Sequence, residues 1–279
     1  MKAPDFPPVR RRPFAAMQAL QRSTRSLVRS FRETLELATL LAFIAGIVNS
    51  AAFMEFGTFV SHISGHATRA AVEFTKGLRL SAYIFLLETL AFILGAFVTA
   101  ILLRGHTAAS KEVKYTGPVL VEAGLLLSFL FLNSTHAIGF LRWGDMSLST
   151  LLLAFAMGMQ NALLRQSSGA ILRTTHMTGV ATDLGFELGA AVRAALTYLR
   201  QSHQLRSTLR CFLEVLGVGR FTFHLSLFFA FSSGAVLGTY AFLHVGRFTL
   251  MLPALLLTLI GLREYLRPVP QPSSNPNEP

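Results

Sequence analysis

Two short polar segments in an otherwise apolar chain carry the side chains that could do chemistry. Residues 61–68 read SHISGHAT and residues 175–182 read THMTGVAT, so histidine, glycine, alanine and threonine recur at the same positions. Hydroxyl groups donate and accept hydrogen bonds, imidazole binds or relays a proton near neutral pH, and glycine permits a turn or a close approach. The pair therefore predicts a polar site for a small solute or ion. Close packing of helices through the same residues is the alternative.

The candidate solute-binding residues come from these two segments and from one asparagine upstream of each. They share a polar side chain, or a glycine, at matching positions. They are Asn49, Ser61, His62, Ser64, Gly65, Thr68, Asn161, Thr175, His176, Thr178, Gly179 and Thr182. For the two asparagines, hydrogen bonds between helices are the alternative role.

Two carboxylates, Glu88 and Asp183, are candidates for carrying a coupling proton, because ionisable groups inside a membrane usually have a function or a partner. A position at the membrane interface is the alternative for Glu88, and an ion pair with an arginine is the alternative for Asp183. We expect no metal site and no cofactor. His62 and His66 are spaced to share an ion, but Val180 takes the position of His66 in the second segment.

The composition is that of a membrane protein. Hydrophobic residues make up 52% of the 279 residues and charged residues only 14%. A helix of about 20 apolar residues crosses a bilayer. Six runs qualify, at residues 36–56, 82–104, 117–136, 147–165, 222–243 and 248–266. We therefore expect an all-α, polytopic membrane helix bundle.

Further matches around the polar segments indicate an internal duplication. Residues 46–49 resemble residues 158–161, and residues 92–96 resemble residues 231–235, in the same order. Each repeat then contains three transmembrane helices and a shorter polar helix, which is either re-entrant or spanning. A re-entrant helix gives inverted repeats, a plan that recurs in transporters, whereas a fourth span gives parallel repeats. We favour the inverted arrangement.

The predicted domains follow from these repeats. They are a basic N-terminal arm at 1–35, repeat 1 at 36–141, repeat 2 at 142–266 with a soluble insertion at about 197–221, and a disordered Pro-rich tail at 267–279. The arm is either an amphipathic helix on anionic lipid head groups or a disordered segment.

The charge distribution predicts the orientation. The net charge is +11, and twenty of the 25 Lys and Arg residues fall on the cytoplasmic side if both termini are cytoplasmic. The positive-inside rule favours this arrangement in the bacterial cytoplasmic (inner) membrane. Basic residues distributed in this way do not indicate nucleic acid as a partner.

The polar segments and their surroundings resemble the YoaK-like family of bacterial multi-pass membrane proteins. The resemblance rests on AGIVN at 45–49, the segment at 61–68, GMQNA at 158–162 and RTTHMTG at 173–179, and it extends over residues 36–266. Aspartate at position 49 and asparagine at position 66 would be more usual in the family. The resemblance implies membrane location and topology; the family is catalogued as a domain of unknown function, so it implies no substrate.

Three functions follow from these observations. The leading hypothesis is a secondary-transporter-like protein with the paired segments at a central site. The competing hypothesis is a non-catalytic membrane scaffold, in which the arm and the insertion bind partners or anionic lipid. An intramembrane enzyme comes third, and we expect no enzyme because the chain has no nucleophile elbow, zinc-protease helix or P-loop. The oligomeric state is open, a homo-oligomer included.

Overall fold

The computed structural model describes residues 13–103, 115–134, 142–143, 146–167, 175–202 and 204–266. Apart from turns and short connections, this part of the chain is helical, with one antiparallel pair of two-residue strands, β1 (Arg142–Trp143) and β2 (Met146–Ser147). The helices are α1 (Pro13–Phe56), α2 (Ile63–Thr75), α3 (Arg79–Leu102), α4 (Thr116–Ser134), α5 (Leu148–Ser167), α6 (Met177–Ser202), α7 (Leu205–Leu216), α8 (Val218–Val245) and α9 (Met251–Tyr265). The predicted all-α class is confirmed.

The apolar helices account for the predicted membrane spans. Among the described residues, Leu35–Phe56, Arg79–Leu102 and Gly219–Tyr265 are long and apolar enough to cross a bilayer, and Thr116–Leu132 and Leu148–Leu164 are shorter apolar helices. The 47-residue segment Gly219–Tyr265 is divided by a 3-10 helix, Gly246–Leu250, which begins where Gly246 takes a φ of 59°. These segments coincide with the six predicted spans and confirm a polytopic membrane helix bundle.

The core lies around α1 and α5. Leu41, Ile44 and Ile47 of α1 are fully buried, as are Met157 and Met159 of α5. The outer helix α3 instead exposes a row of large apolar side chains. They are Leu87, Leu90, Leu94, Phe97 and Ile101. An exposed apolar face on a long helix is what contact with lipid tails requires.

Glycines bring two pairs of helices into close contact. At the crossing of α1 and α8, a Cβ atom added to Gly46 would collide with the Phe231 carbonyl, and one added to Gly234 would collide with the Phe43 carbonyl. At the crossing of α3 and α5, Gly95 meets the Phe155 carbonyl in the same way, and Gly158 meets the Phe92 carbonyl. Small residues of this kind let helix backbones pack directly in membranes.

The residues at both crossings show that the paired helices run in the same direction. In the first pair, Phe43 lies beside Gly234 and Ser50 lies beside Gly238. In the second pair, Gly95 lies beside Phe155, and the Thr99 hydroxyl donates to the Met159 carbonyl at 3.2 Å. Residue numbers rise together in each pair, so α8 is parallel to α1 and α5 is parallel to α3.

Three of the predicted domains remain to be placed: the arm, the insertion and the tail. The chain divides into two units, Met1–Leu37 and Ala38–Pro279. Within the predicted arm at 1–35, residues 1–12 lie outside the described residues and residues 13–34 have a helical backbone. The predicted insertion at 197–221 contains the end of α6, all of α7 and the start of α8. The predicted tail at 267–279 lies outside the described residues, and its disorder stays a prediction.

Candidate functional site

A buried asparagine of α1 holds the chain that leads into α2. Asn49 is only 3% exposed, and its Oδ1 accepts hydrogen bonds from the Ser61 backbone N–H at 3.2 Å and the Ser61 hydroxyl at 2.8 Å. Its Nδ2 donates to the Ala45 carbonyl at 2.9 Å. Asn49 lies about two turns, or roughly 10 Å, before the end of α1. The chain therefore turns back along α1 before α2 begins.

The second polar segment is held in the same way. Asn161 of α5 accepts hydrogen bonds through Oδ1 from the Thr175 backbone N–H at 3.2 Å and the Thr175 hydroxyl at 3.1 Å, and its Nδ2 donates to the Met157 carbonyl at 2.8 Å. The two asparagines thus use their amides to fix the segments. Their direct contacts are those of positioning residues.

The spacing of histidine and glycine has a steric explanation. His62 is the N-cap residue of α2, and His176 directly precedes α6. A Cβ atom added to Gly65 would lie 2.7 Å from His62 Nδ1, and one added to Gly179 would collide with the His176 ring. Each imidazole therefore folds back over the first turn of its helix, in space that only glycine leaves open.

Both segments line one open cavity of about 810 Å³. Seven of the twelve predicted solute-binding residues face it, together with apolar residues of α3. The polar lining consists of Ser61, His62, Ser64, Asn161, Thr175, His176 and Thr178, and the α3 residues include Phe92, Ile93, Ala96 and Ala100. The tertiary structure thus brings together two segments that are far apart in sequence.

The described lining of the cavity is polar in part and carries no negatively charged side chain. It contains hydroxyls, one amide and two imidazoles, and no carboxylate. The N-terminal ends of α2 and α6 also face it, and a helix N-terminus carries a partial positive charge. This arrangement suits a polar solute that is neutral or anionic, with hydroxyls and imidazoles as its hydrogen-bond partners.

The other predicted solute-binding residues lie away from this cavity's lining. The Thr68 hydroxyl donates to the Ser64 carbonyl at 2.9 Å, and the Thr182 hydroxyl donates to the Thr178 carbonyl at 2.8 Å, on exposed helix faces. Gly65 and Thr68 line a shallow groove along α2. Asn49 and Gly179 act through Ser61 and His176 as described above, so their roles are structural support of the lining.

The two predicted proton carriers differ in surroundings. Glu88 is fully buried, and its Oε2 lies 3.2 Å from Nδ1 of His66. The side chain of Asp183 is 59% exposed and lies 3.9 Å from Nε2 of His224, whose Nδ1 lies 3.4 Å from Glu187. Sequence reasoning missed His66 and His224 as partners of these carboxylates. Each pair joins two different helices, so no local sequence spacing indicates it.

The fold and the cavity define the class of this protein: an α-helical, transmembrane protein with a polar cavity between paired helix starts. The family described as "Protein of unknown function (DUF1275)" matches residues 37–262, and the chain belongs to that family. The chain is also similar to the UPF0700 transmembrane protein RA0705 of Rhizobium meliloti (strain 1021), with 26% identity over 163 residues, which is 56% of this chain and 61% of the relative. No solved structure matches the chain.

Proposed function

We propose that this protein is a secondary transporter of a small polar solute, neutral or anionic, in the bacterial cytoplasmic membrane with both termini in the cytoplasm. The observation that carries the proposal is one cavity lined by equivalent hydroxyl and histidine side chains from two matching segments. The resemblance to the YoaK-like family belongs to the same proposal, because it implies the same multi-pass arrangement.

The direction of α2 supports a re-entrant helix. Its 13 residues extend about 20 Å, which is less than the roughly 30 Å of a bilayer core. His66, one turn into α2, donates through Nε2 to the Phe59 carbonyl at 2.9 Å and lies 3.5 Å from the Thr58 hydroxyl. Thr58 and Phe59 lie just after the end of α1. Since α2 starts beside Asn49 and then approaches these residues, it returns towards the side where α1 ends.

The direction of α3 bears on how the two repeats are oriented relative to each other. His66 lies beside Glu88, and Arg69 lies over the Phe85 ring at 4.7 Å, so α3 runs antiparallel to α2. Because α2 and α1 head towards the same side, α3 also runs opposite to α1. The helix α5 is parallel to α3, so α5 runs opposite to α1. These directions support inverted repeats at 36–141 and 142–266.

Inverted repeats suggest how such a protein would work. The cavity is lined by residues of both repeats, and in many transporters one repeat rocks against the other around a central site. Rocking would open the cavity first to one side and then to the other. The paired hydroxyl and imidazole groups would stay with the solute throughout, since each repeat supplies one set.

Alternating access is testable without a known solute. Single cysteines are introduced at Ser64 and at Thr178, both in the cavity, in a Cys211→Ser background, and sealed vesicles of both orientations are treated with an impermeant thiol reagent. Transport predicts that each cavity position reacts from both sides. Reaction from one side only, or from neither, would contradict the proposal.

The matched topology controls are Lys76→Cys and Arg200→Cys, which lie at the exposed far ends of α2 and α6. Inverted repeats predict that these two positions react from opposite sides, Lys76→Cys from outside and Arg200→Cys from the cytoplasm. Reaction of both from the same side would contradict the inverted arrangement while leaving the cavity test intact.

The solute class is tested by thermal stabilisation. Purified protein is heated with sulfate, phosphate, short carboxylates, small polyols and alkylammonium ions in turn. We expect stabilisation by a member of the anionic or neutral groups, lost in His62→Ala and in His176→Ala and retained in the control His244→Ala, an exposed histidine of α8. Stabilisation by the cations alone would contradict the proposed class.

The competing proposal is a non-catalytic scaffold that binds partners or anionic lipid head groups. One observation favours lipid contact in the predicted insertion: α7 exposes Leu205, Leu209 and Leu213 at helical spacing, beside Arg206 and Arg210. Apolar and basic residues arranged in this way are typical of helices at a membrane surface. A scaffold predicts that deletion of residues 1–30 abolishes cellular activity while His62 and His176 tolerate substitution.

A further inference from the structure

A histidine and a glutamate meet in the interior of the bundle, away from the lining of the cavity. His66 of α2 is 3% exposed, Glu88 of α3 is fully buried, and His66 Nδ1 lies 3.2 Å from Glu88 Oε2. Buried ionisable groups inside a membrane are costly, and they are found in ion and proton pathways.

The hydrogen bond made by Nε2 of His66 fixes which ring nitrogen carries a hydrogen. His66 Nε2 lies 2.9 Å from the Phe59 carbonyl, and a carbonyl oxygen only accepts hydrogen bonds, so Nε2 must carry a hydrogen. In a neutral His66, Nδ1 then presents a lone pair to the Glu88 oxygen. Two acceptors facing each other in a medium of low dielectric repel. One additional proton between Nδ1 and Oε2 removes this repulsion and leaves the pair without net charge.

We propose that His66 and Glu88 form a proton-binding site that holds one proton between imidazole and carboxyl. In the loaded form the proton lies between Nδ1 and Oε2. In the empty form His66 is neutral, Glu88 is a carboxylate, and the proton has passed to water.

The charges around the pair allow the proton to leave as well as to bind. Among the described residues, Arg69 and His62 of α2 act electrostatically on His66, and Arg69 also acts on Glu88. The Thr150 hydroxyl of α5 lies beside the Glu88 carboxyl. Burial disfavours the negative charge of the empty form, and Arg69 offsets part of that cost, so the proton can leave. An anion in the cavity beside His62, one turn from His66, would favour the loaded form.

The second half of the chain lacks this pair. Val180 stands at the position that matches His66, and Leu227 stands seven residues before Gly234, as Glu88 stands seven before Gly95. Both residues are buried. Among the described residues, a buried His–Glu pair at these matching positions therefore occurs in the first half only; the histidine–carboxylate pair of the second half, His224 and Glu187, lies at other positions. If the proposed transport function holds, the coupling ion is a proton, a step that rests on that function.

The test follows the histidine nitrogens of the full chain in lipid nanodiscs by ¹⁵N nuclear magnetic resonance, from about pH 4 to about pH 9. His66 is assigned through His66→Gln. We expect one titration step of His66, with its proton affinity changed at least about tenfold, or the step lost, in Glu88→Gln. The matched control is Glu122→Gln, a buried carboxyl of α4, which should leave the step in place.

A His66 signal that does not titrate in the wild type would overturn the proposal, and so would a step that is the same in Glu88→Gln. If Glu88→Gln does not accumulate, Glu88→Asp keeps the carboxyl but lengthens its distance to Nδ1. Its step should then be shifted, and a step that coincides with the wild type would overturn the proposal. No solute is used, so this test fails or succeeds independently of the cavity labelling and stabilisation tests.

Discussion

Replacing Asn49 by leucine is expected to release the first polar segment from α1. Leucine has the same branching and number of heavy atoms as asparagine, although it is larger, and it cannot accept the hydrogen bonds from the Ser61 N–H and hydroxyl. Each lost bond contributes about 1 kcal/mol, and the Ser61 N–H left without its partner costs about 1 kcal/mol more. Asn49→Leu should therefore lower the stability by about 2 to 3 kcal/mol.

The aspartate variant distinguishes loss of the acceptor oxygen from a general effect of replacing a buried residue. Asn49→Asp keeps an oxygen that accepts both bonds from Ser61 but loses the amide contacts to the Ala45 carbonyl and Met157 Sδ. It also buries a carboxyl, so we expect a loss of about 1 to 2 kcal/mol, less than that of Asn49→Leu. Asn161→Leu should reproduce the large effect, because Asn161 holds Thr175 in the same way.

The assay is thermal unfolding of the purified protein, followed by the fraction that remains monodisperse on size-exclusion chromatography. For a chain of this size, about 2 to 3 kcal/mol corresponds to a fall in the midpoint of roughly 5 to 10 °C. Ser233→Ala, which removes an exposed hydroxyl of α8, is the control and should change the midpoint little. An Asn49→Asp midpoint as low as that of Asn49→Leu would refute the assigned acceptor role.

Two further predictions concern glycines. Gly158→Leu should prevent accumulation of folded protein, because its side chain would collide with the Phe92 backbone at a cost above about 3 kcal/mol. The control Gly189→Leu, in α6, faces open space and should accumulate. Expression with fluorescence-detected size-exclusion chromatography decides this, and equal yields would contradict the proposed close crossing. Gly179→Ala should displace the His176 imidazole and raise the solute concentration needed for thermal stabilisation at least about tenfold. Gly185→Ala, which faces open space, should not. Equal loss in both variants would show that the effect does not depend on the imidazole.

Much of the fold could be predicted from the sequence because the bilayer imposes a simple rule. A helix that crosses it needs about 20 apolar residues and no unpaired polar backbone. Runs of that length are visible without any knowledge of their partners, and the six predicted spans coincide with apolar helices. The boundaries of the polar helices were less predictable, since α6 continues to Ser202 through part of the predicted insertion.

The candidate site was only half predictable for a different reason. The matching residues at 61–68 and 175–182 identified the hydroxyls and histidines, since the two segments carry the same residue types in the same order. The sequence did not show which of these residues line the cavity and which lie elsewhere. Thr68 and Thr182 match as well as Ser64 and Thr178 do, yet they lie on exposed helix faces, because a helix turns each residue by about 100° from the last.

The sequence by itself indicated a membrane protein and showed which stretches are apolar enough to cross the bilayer and which polar residues occur twice. Only the tertiary structure decided that the two polar segments share a cavity and that His66 faces Glu88. The reason is physical: hydropathy is a property of each segment alone, whereas a cavity or a buried pair depends on which helices touch. In this protein the helix contacts depend on four glycines, whose missing side chains let α1 pack against α8 and α3 pack against α5. They are Gly46, Gly95, Gly158 and Gly234.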